Sequence, residues 1–584
     1  MAKIWKRNTI ANLSHKHTVA EQKKSESWNS NLGVMLAVAG SAVGFGNFLR
    51  FPGLAAQFGG GAFMIAYFIG FLLLGIPISW VEWSIGRRGG SLGGHSTAAI
   101  FYRLSGSRAW KYLGIAGVLA PLALCMYYIY LEAWTLGYAW HTATGELSFS
   151  NAAQYGQFFN DYVGIAGNGS VFNGQQNTLV FFGIVLILNF YLIYRGVSKG
   201  IEWFCKWSMP VLLLTCIIIL VRVLTMGTPD PAYPHRNINE GLGYMWNPDK
   251  VMLVDATTHK TLDMVPADAT PEQKTQQIAA LQAANPGVQI EEKHISLWQG
   301  LLNPDLWLAA AGQVFFSLSV GFGTVCTYAS YVRRHKDVAL GSLTANMANA
   351  ATEIGLAGLM IIPAAVGFLG VAAAATTNVF GLGFNTLPQV FNSMPGGQFF
   401  GTLFFFLLFI AAITSAISML QPGIAFLEEF WGLKRVQSIT LLGFILVCGT
   451  LLVTWFTQGL LAMDTMDFWF GNLSLYLTTG LYLYLFCVVW GPHKGLAELR
   501  HGSSMLIPRP IAFIITWVTP SFMLIIFVSW AYKTLFVESN QHIANLIAMK
   551  PGAVFPLVWI MMVALFMAFV IRTSPSFHKT HKPD

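Results

Sequence analysis

Apolar runs of about 20 residues, each long enough to cross about 30 Å of hydrocarbon, recur from residue 32 to residue 571. A water-soluble core has no use for that repetition. Only 10% of the chain is charged and 54% is hydrophobic, against roughly 25% charged in a soluble domain. The pattern predicts an all-α polytopic membrane protein. Apolar windows and their breakers place twelve transmembrane helices near 32–57, 62–86, 111–141, 178–195, 204–225, 304–332, 339–372, 399–427, 436–457, 465–490, 511–534 and 553–571.

Most of the 34 Lys and Arg fall in the tails and the even-numbered connections, among them Arg87, Arg88, Arg103, Arg108 and Lys111. By the positive-inside rule both termini are then cytoplasmic, and the net charge of +8 reports topology rather than nucleic-acid binding. Residues 1–30 are a polar, basic tail with no apolar signal core, so the first span is expected to serve as the membrane address. Residues 226–303 make the one sizeable insertion, an outward loop with an acidic excess and a short helix in TPEQKTQQIAALQAA, where a Thr cap precedes good helix formers. The six cysteines lie in or beside apolar segments with no metal-ligand spacing, and neither a disulfide nor an organic cofactor is expected.

Two spans are built to break. The first carries Gly40-Ser41-Ala42-Val43-Gly44-Phe45-Gly46-Asn47, then Arg50 and Pro52; the sixth carries Gln313, Ser317, Ser319, Gly321, Phe322 and Gly323. Glycines often serve close helix packing in membranes, but two interrupted spans in corresponding positions of two halves point to a binding site between inverted repeats. The expected organisation is 31–225 (helices 1–5), 304–490 (helices 6–10), two extra helices over 491–572 and a C-tail over 573–584. Half-helix N-termini suit a carboxylate, while unwound carbonyls and helix C-termini suit Na⁺. Position 44 is glycine and the GSAVGFGN stretch holds no acid, which favours a zwitterion over a bare cationic amine. Thr414, Ser415, Ser418, Asn346 and Asn349 add oxygens suited to a hard cation. Charges inside a membrane need partners, so Arg50 is expected to meet Asp467, and Glu429 a basic residue of the N-tail; Glu82, Glu132 and Glu353 remain as buried acids. No Ser/His, His/Glu or paired-Asp constellation stands at membrane depth, so the chain is not read as an enzyme.

The stretch WNSNLGVMLAVAGSAVGFGNFLRFPGLAAQFGGGAFMIAYFIGFLLLGIPISWVEWSIGR resembles the first two helices of the neurotransmitter:sodium symporters, bacterial branch. The likeness continues through PLALCMYYIYLEAW, GQVFFSLSVGFGTVCTYASYVRR, FIAAITSAISMLQPGIAFLEE and MDFWFGN, and omits the stretch near 250–300. It implies an inverted-repeat fold and a sodium-coupled symporter that imports small to medium neutral amino acids by alternating access. It also implies two sodium sites, one from Ala42, Asn47, Ser317 and Asn349 with the substrate carboxylate, the other from Gly40, Val43, Ala411, Thr414 and Ser415. The substrate would meet Ala42, Gly44, Gly46, Tyr128 and Ser317, with Leu124, Phe316, Ser319, Phe322, Ser415 and Met419 as walls. Arg50 and Asp467 match the outer gate, and Tyr128 and Phe322 an aromatic lid. At the inner gate, with Trp28, Tyr331 and Glu429, the family's tail arginine is here Ser25, leaving Lys24 or Lys23 to act. Glu353 stands where chloride-dependent members have a small polar residue, which implies chloride independence; whether it supplies fixed negative charge or carries a proton outward is left open. Partners expected are the amino acid, sodium ions and the lipid bilayer of a bacterial inner membrane, not nucleic acid; a homodimer is left open. The alternative from another class is a sensor that keeps the site and has lost flux.

Overall fold

The computed structural model describes residues 28, 30–173, 177–229, 236–258, 260–265, 269–376, 379–537 and 540–574. Among these, nine helices are long and apolar enough to cross a membrane: Gly61–Ser91, Ala109–Ala143, Val197–Leu224, Val338–Leu369, Gly397–Phe430, Arg435–Trp455, Gln458–Trp490, Arg509–Phe536 and Pro551–Thr573. A tenth is the pair Leu32–Ala42 and Gly46–Gln57, bent by 48°. The 17-residue apolar helix Thr178–Tyr194 and the interrupted pair Pro304–Ser317 and Thr324–Ser330 complete twelve spans in the predicted order. We number them spans 1 to 12. The breaks fall in spans 1 and 6, five apart, and an odd number of spans per half sets the two halves in opposite senses across the membrane, as inverted repeats require.

Burial sorts the spans into a centre and a lipid-facing rim. The most apolar stretch of span 8 is 89% buried and that of span 11 only 22%. Spans 3 and 8 pack along most of their length and form the central pair. Cys125 Sγ reaches the Ala416 carbonyl across this pair (3.9 Å), and Leu124, Tyr128 and Ala412 are buried as well. The side chains left exposed, such as Ile187, Trp207, Phe444 and Phe513, are large and apolar and lie on spans 4, 5, 9 and 11, as a surface solvated by lipid demands. Span 2 lies against the second half of span 6 at backbone distance. A Cβ at Gly86 would stand 2.2 Å from the Cys326 carbonyl oxygen, and one at Gly90 2.0 Å from that of Ser330, so only glycine permits this approach.

The 226–303 insertion contains the expected helix, Pro271–Ala284, opened by a Thr270/Gln273 capping box. It also contains a three-stranded antiparallel sheet where the sequence predicts loop: β1 Lys250–Asp255, β2 Thr261–Val265 and β3 Ile290–Ile295, in the order β2-β1-β3. The strands are short and lack clean apolar alternation; β1 is a nearly continuous apolar run and β3 (IEEKHI) is mostly polar, so period-2 reading finds little. Helix and sheet are tied by Gln277 Nε2, which donates to Asp263 Oδ2 and to the Met264 carbonyl, both at 3.0 Å.

The insertion is stapled to the turn between spans 1 and 2. Tyr244 Oη donates to the Ala56 carbonyl (2.5 Å). Lys250 Nζ donates to the carbonyls of Gly59 (2.6 Å) and Tyr244 (2.7 Å) and lies 4.5 Å from the Tyr244 ring centre. Burial pushes the Lys250 amine down from 10.5 to about 7, and a neutral amine still has two N–H groups for its two acceptors. Between about pH 7 and 10.5 the folded protein therefore binds fewer protons here than the unfolded chain, so stability rises with pH in that window, whereas below it the cost of burying the charge is present in full. Amide protection of the insertion, corrected for intrinsic exchange, is expected to increase from pH 7 to pH 9.5, and Lys250→Met to remove that increase.

Candidate functional site

The two breaks face each other, and side chains of span 6 take up carbonyls freed in span 1. The helix Asn31–Ala42 stops at Val43, and Asn47 Oδ1 accepts the Gly44 amide (2.9 Å), closing the unwound turn with a side chain. From span 6, Gln313 Nε2 donates to the Gly46 carbonyl (3.0 Å) and Ser319 Oγ to the Ser41 carbonyl (2.9 Å). Ser319, Gly321 and Gly323 take positive φ values, which end the helix there. The Glu82 carboxylate of span 2 accepts the freed Gly321 amide (2.5 Å).

Beside this junction lies a fully buried polar chain. Asn47 Nδ2 donates to Asn349 Oδ1 (2.9 Å), Asn349 Nδ2 to Ser317 Oγ (2.5 Å), and Ser317 Oγ to Glu353 Oε2 (2.7 Å). Tyr67 Oη and Gln313 Nε2 also donate to the Glu353 carboxylate. Asn47, Asn349 and Glu353 have no exposed surface. Three neutral side-chain oxygens, the end of a helix at Ala42 and a carboxylate one hydrogen bond away make a donor set suited to a hard monovalent cation.

The other predicted cation residues meet where the first half of span 1 abuts span 8. Ser415 Oγ donates to the carbonyls of Gly40 (3.4 Å) and Ser41 (3.2 Å), and Thr414 Oγ1 to those of Ile410 and Ala411 (both 3.0 Å). A Cβ at Gly40 would stand 3.3 Å from that of Thr414. The Val43 amide still bonds to Ala39 (2.7 Å), so Gly40 to Val43 form a helix C-terminus, the negative end of its dipole.

Between the two cation sets, Tyr128 of span 3 accepts the Phe45 amide (3.3 Å). Its ring packs on Phe45 at 4.9 Å, and Phe316 packs on Phe322 at 6.1 Å; each ring of the expected lid thus engages the helix break next to it. A Cβ at Gly44 would lie 2.7 Å from both Tyr128 Oη and Ser415 Oγ, which leaves no space there for an acidic side chain. Leu124, Phe322, Ser319, Ser415 and Met419 are all buried, and the Ser319 and Ser415 hydroxyls converge on the Ser41 carbonyl. Toward the insertion side, Phe45, Tyr128 and Phe316 form the floor of a cavity of about 130 Å³ that is also lined by Arg50, Asp464 and Asp467.

The gate residues are placed differently from the simplest expectation. Arg50 does not pair directly with Asp467: its Nη2 donates to Asn472 Oδ1 (2.8 Å), and Asn472 Nδ2 donates on to Asp467 Oδ2 (3.3 Å). Tyr127 Oη holds the other oxygen of Asp467 (2.8 Å), and the Arg50 guanidinium lies 4.7 Å from the Phe316 ring centre. The two charges thus share a neutral amide across the cavity. On the opposite side Trp28 Nε1 donates to the Tyr328 carbonyl (3.1 Å). Lys24 and Lys23 lie outside the described residues; the Glu429 carboxylate is met by the amides of His95 and Ser96 and by Ser96 Oγ. Asn472, Tyr127, Tyr67 and His95 were not singled out from the sequence, since each is an ordinary polar residue in its own segment and gains meaning only from a neighbour far along the chain.

A model of the family described as the Sodium:neurotransmitter symporter family matches residues 25–163 and 280–576. The chain is 27% identical over 424 residues to an uncharacterized sodium-dependent transporter of Haemophilus influenzae, covering 72% of this chain and 77% of that protein. It is 24% identical over 569 residues to the sodium-dependent serotonin transporter of Drosophila melanogaster, covering 89% and 79%. The crystal structure of MhsT in complex with L-phenylalanine matches with a TM-score of 0.68 at 27% identity, covering 86% of this chain and 99% of MhsT. The family model takes in both breaks, spans 1–3 and spans 6–12: the chain belongs to the sodium:neurotransmitter symporter family and is a sodium-coupled secondary transporter, not an enzyme.

Proposed function

We propose that the protein imports small to medium neutral amino acids together with two sodium ions by alternating access, without chloride. The observation that carries this reading is the Ser317 hydroxyl, which joins Asn349 of the first cation set to Glu353. Fixed negative charge then stands one hydrogen bond from the cation, the place a bound anion would otherwise fill. Gly44, with no room for an acid, favours a substrate that brings its own carboxylate to the Phe45 amide and Tyr128 Oη. MhsT's phenylalanine supports the amino acid class. The walls Leu124, Phe322 and Met419 are apolar, so neutral side chains from Ala to Leu or Met are the expected range.

Coupling follows from shared ligands. A sodium ion that uses the substrate carboxylate together with Asn47, Ser317, Asn349 and the Ala42 carbonyl binds well only when substrate is present. The second ion, held by Gly40, Val43, Ala411, Thr414 and Ser415, ties the first half of span 1 to span 8. Each charge moved inward gains roughly 2.3 kcal/mol per 100 mV. The insertion side is the outside, both termini are cytoplasmic, and the membrane is the bacterial inner membrane.

In proteoliposomes an inward Na⁺ gradient, but not a K⁺ gradient, is expected to drive accumulation of labelled alanine, leucine or methionine. Asn47→Ala is expected to lower that initial rate by about tenfold or more, since a lost buried polar ligand is worth about 1–3 kcal/mol. Sodium-dependent binding without flux would favour the sensor instead. Chloride added at fixed sodium should leave uptake by the parent unchanged. Glu353→Ser removes the fixed charge, and its uptake is expected to be low in chloride-free buffer and to recover on adding chloride; recovery without chloride would remove Glu353 from that role.

A further inference from the structure

The turn 92–96, between span 2 and the short helix Thr97–Ser105, carries contacts that the gate residues above do not explain. It belongs to the body of spans 2 and 6. Ile100 of the short helix packs on Gly89 of span 2, whose neighbour Gly90 touches the Ser330 carbonyl. Its contacts nonetheless cross to span 8. The His95 and Ser96 amides and Ser96 Oγ (2.5 Å) hold both oxygens of Glu429 at the N-terminus of the short helix, where the helix dipole favours an anion. Arg103, on the same helix, adds positive charge within reach.

The His95 ring fixes where those amides sit. It stacks on Tyr331 with the ring centres 4.5 Å apart and the planes within 4°. Its Nδ1 is 3.0 Å from Ser330 Oγ, and that hydroxyl already donates to the Thr327 carbonyl (2.6 Å), so Nδ1 carries the hydrogen and donates. Burial pushes His95 down to about 4, which keeps the ring neutral and a single tautomer in place. Tyr331 Oη in turn accepts from Gln421 Nε2 of span 8 (3.1 Å), and Gln421 Oε1 accepts from Arg435 (3.1 Å). Two crossings to span 8, at Glu429 and at Gln421, therefore meet on one imidazole–phenol stack.

We propose that His95 is the positioning residue of the cytoplasmic gate: stacked on Tyr331, it holds the 92–96 turn on Glu429, so that this turn latches the body of spans 2 and 6 to span 8. The inference rests on the alternating-access reading. It adds loop backbone amides and the Ser96 hydroxyl to the partners of Glu429, for which the sequence alone expects an N-tail base.

A native thiol reads the gate. Cys205 of span 5 is fully buried, with its Sγ 3.3 Å from where a Cβ on Gly40 would stand, so movement of the first half of span 1 away from span 5 uncovers it. In the full-length carrier with the other five cysteines replaced, reconstituted in K⁺, a membrane-impermeant maleimide is applied from the cytoplasmic side. Sodium should slow labelling in the parent, because the second ion ties span 1 to span 8; if it does not, the alternating-access reading itself fails. Given sodium protection, His95→Ala is expected to raise the labelling rate about fivefold in K⁺. His95→Phe keeps the stack and should return most of the way to the parent rate. Glu429→Gln, with one fewer charge for the amides, should rise as His95→Ala does. Parent-like labelling of His95→Ala overturns the proposal. So does a rise that His95→Phe leaves uncorrected, or unchanged labelling in Glu429→Gln.

Discussion

Hydrocarbon offers no partner to a backbone amide or carbonyl, and the structure depends on how this constraint is met at two points in mid-membrane. A helix interrupted there leaves polar groups whose desolvation costs several kcal/mol each. Here each interruption lies against the other: Gln313 and Ser319 of span 6 bond to the carbonyls of Gly46 and Ser41, and Asn47 folds back on the Gly44 amide. The break in span 1 leans on span 6, and the break in span 6 leans on Glu82 of span 2. The side chains that complete these breaks, Asn47 and Ser319 among them, are also residues of the candidate site.

This arrangement also explains why the surrounding helices are so tightly specified. A buried polar chain gains from each further partner, and the run Asn47–Asn349–Ser317–Glu353 recruits Tyr67 and Gln313 as donors to the Glu353 carboxylate. Those residues come from spans 1, 2, 6 and 7. Spans 3 and 8 contribute hydroxyls at Tyr128, Thr414 and Ser415 and otherwise pack as a stiff apolar pair. One body thus carries the polar network and the other a wall with a few oxygens, a division that suits relative motion between them.

Much of this was legible along the chain because the constraints are local in sequence. Twenty-residue apolar runs report spans directly, and GSAVGFGN or SLSVGFG inside such a run reports a break. What was not legible needs two distant segments at once. Nothing near Asn472 says that it will stand between Arg50 and Asp467, and nothing near His95 says that Tyr331 will lie beneath it. The small sheet escaped for a different reason: β1 reads as one short apolar run among many, and β3 as a polar loop, so its strands are defined by pairing and not by pattern.

The way the 226–303 insertion is attached decides how the protein can be handled. Tyr244 and Lys250 grip the turn after span 1, and Gly241 rests on Pro363 of span 7, so close that a Cβ would be 2.3 Å from the proline Cα. The insertion is thereby a rigid outrigger of the body that carries the polar network, and it extends that body's movement beyond the lipid surface. A fluorophore on the helix Pro271–Ala284 would magnify small tilts of spans 1 and 7 into readable displacements. An antibody fragment bridging that helix to the connection between spans 3 and 4 would brace the two bodies against each other, inhibiting the carrier without approaching its substrate.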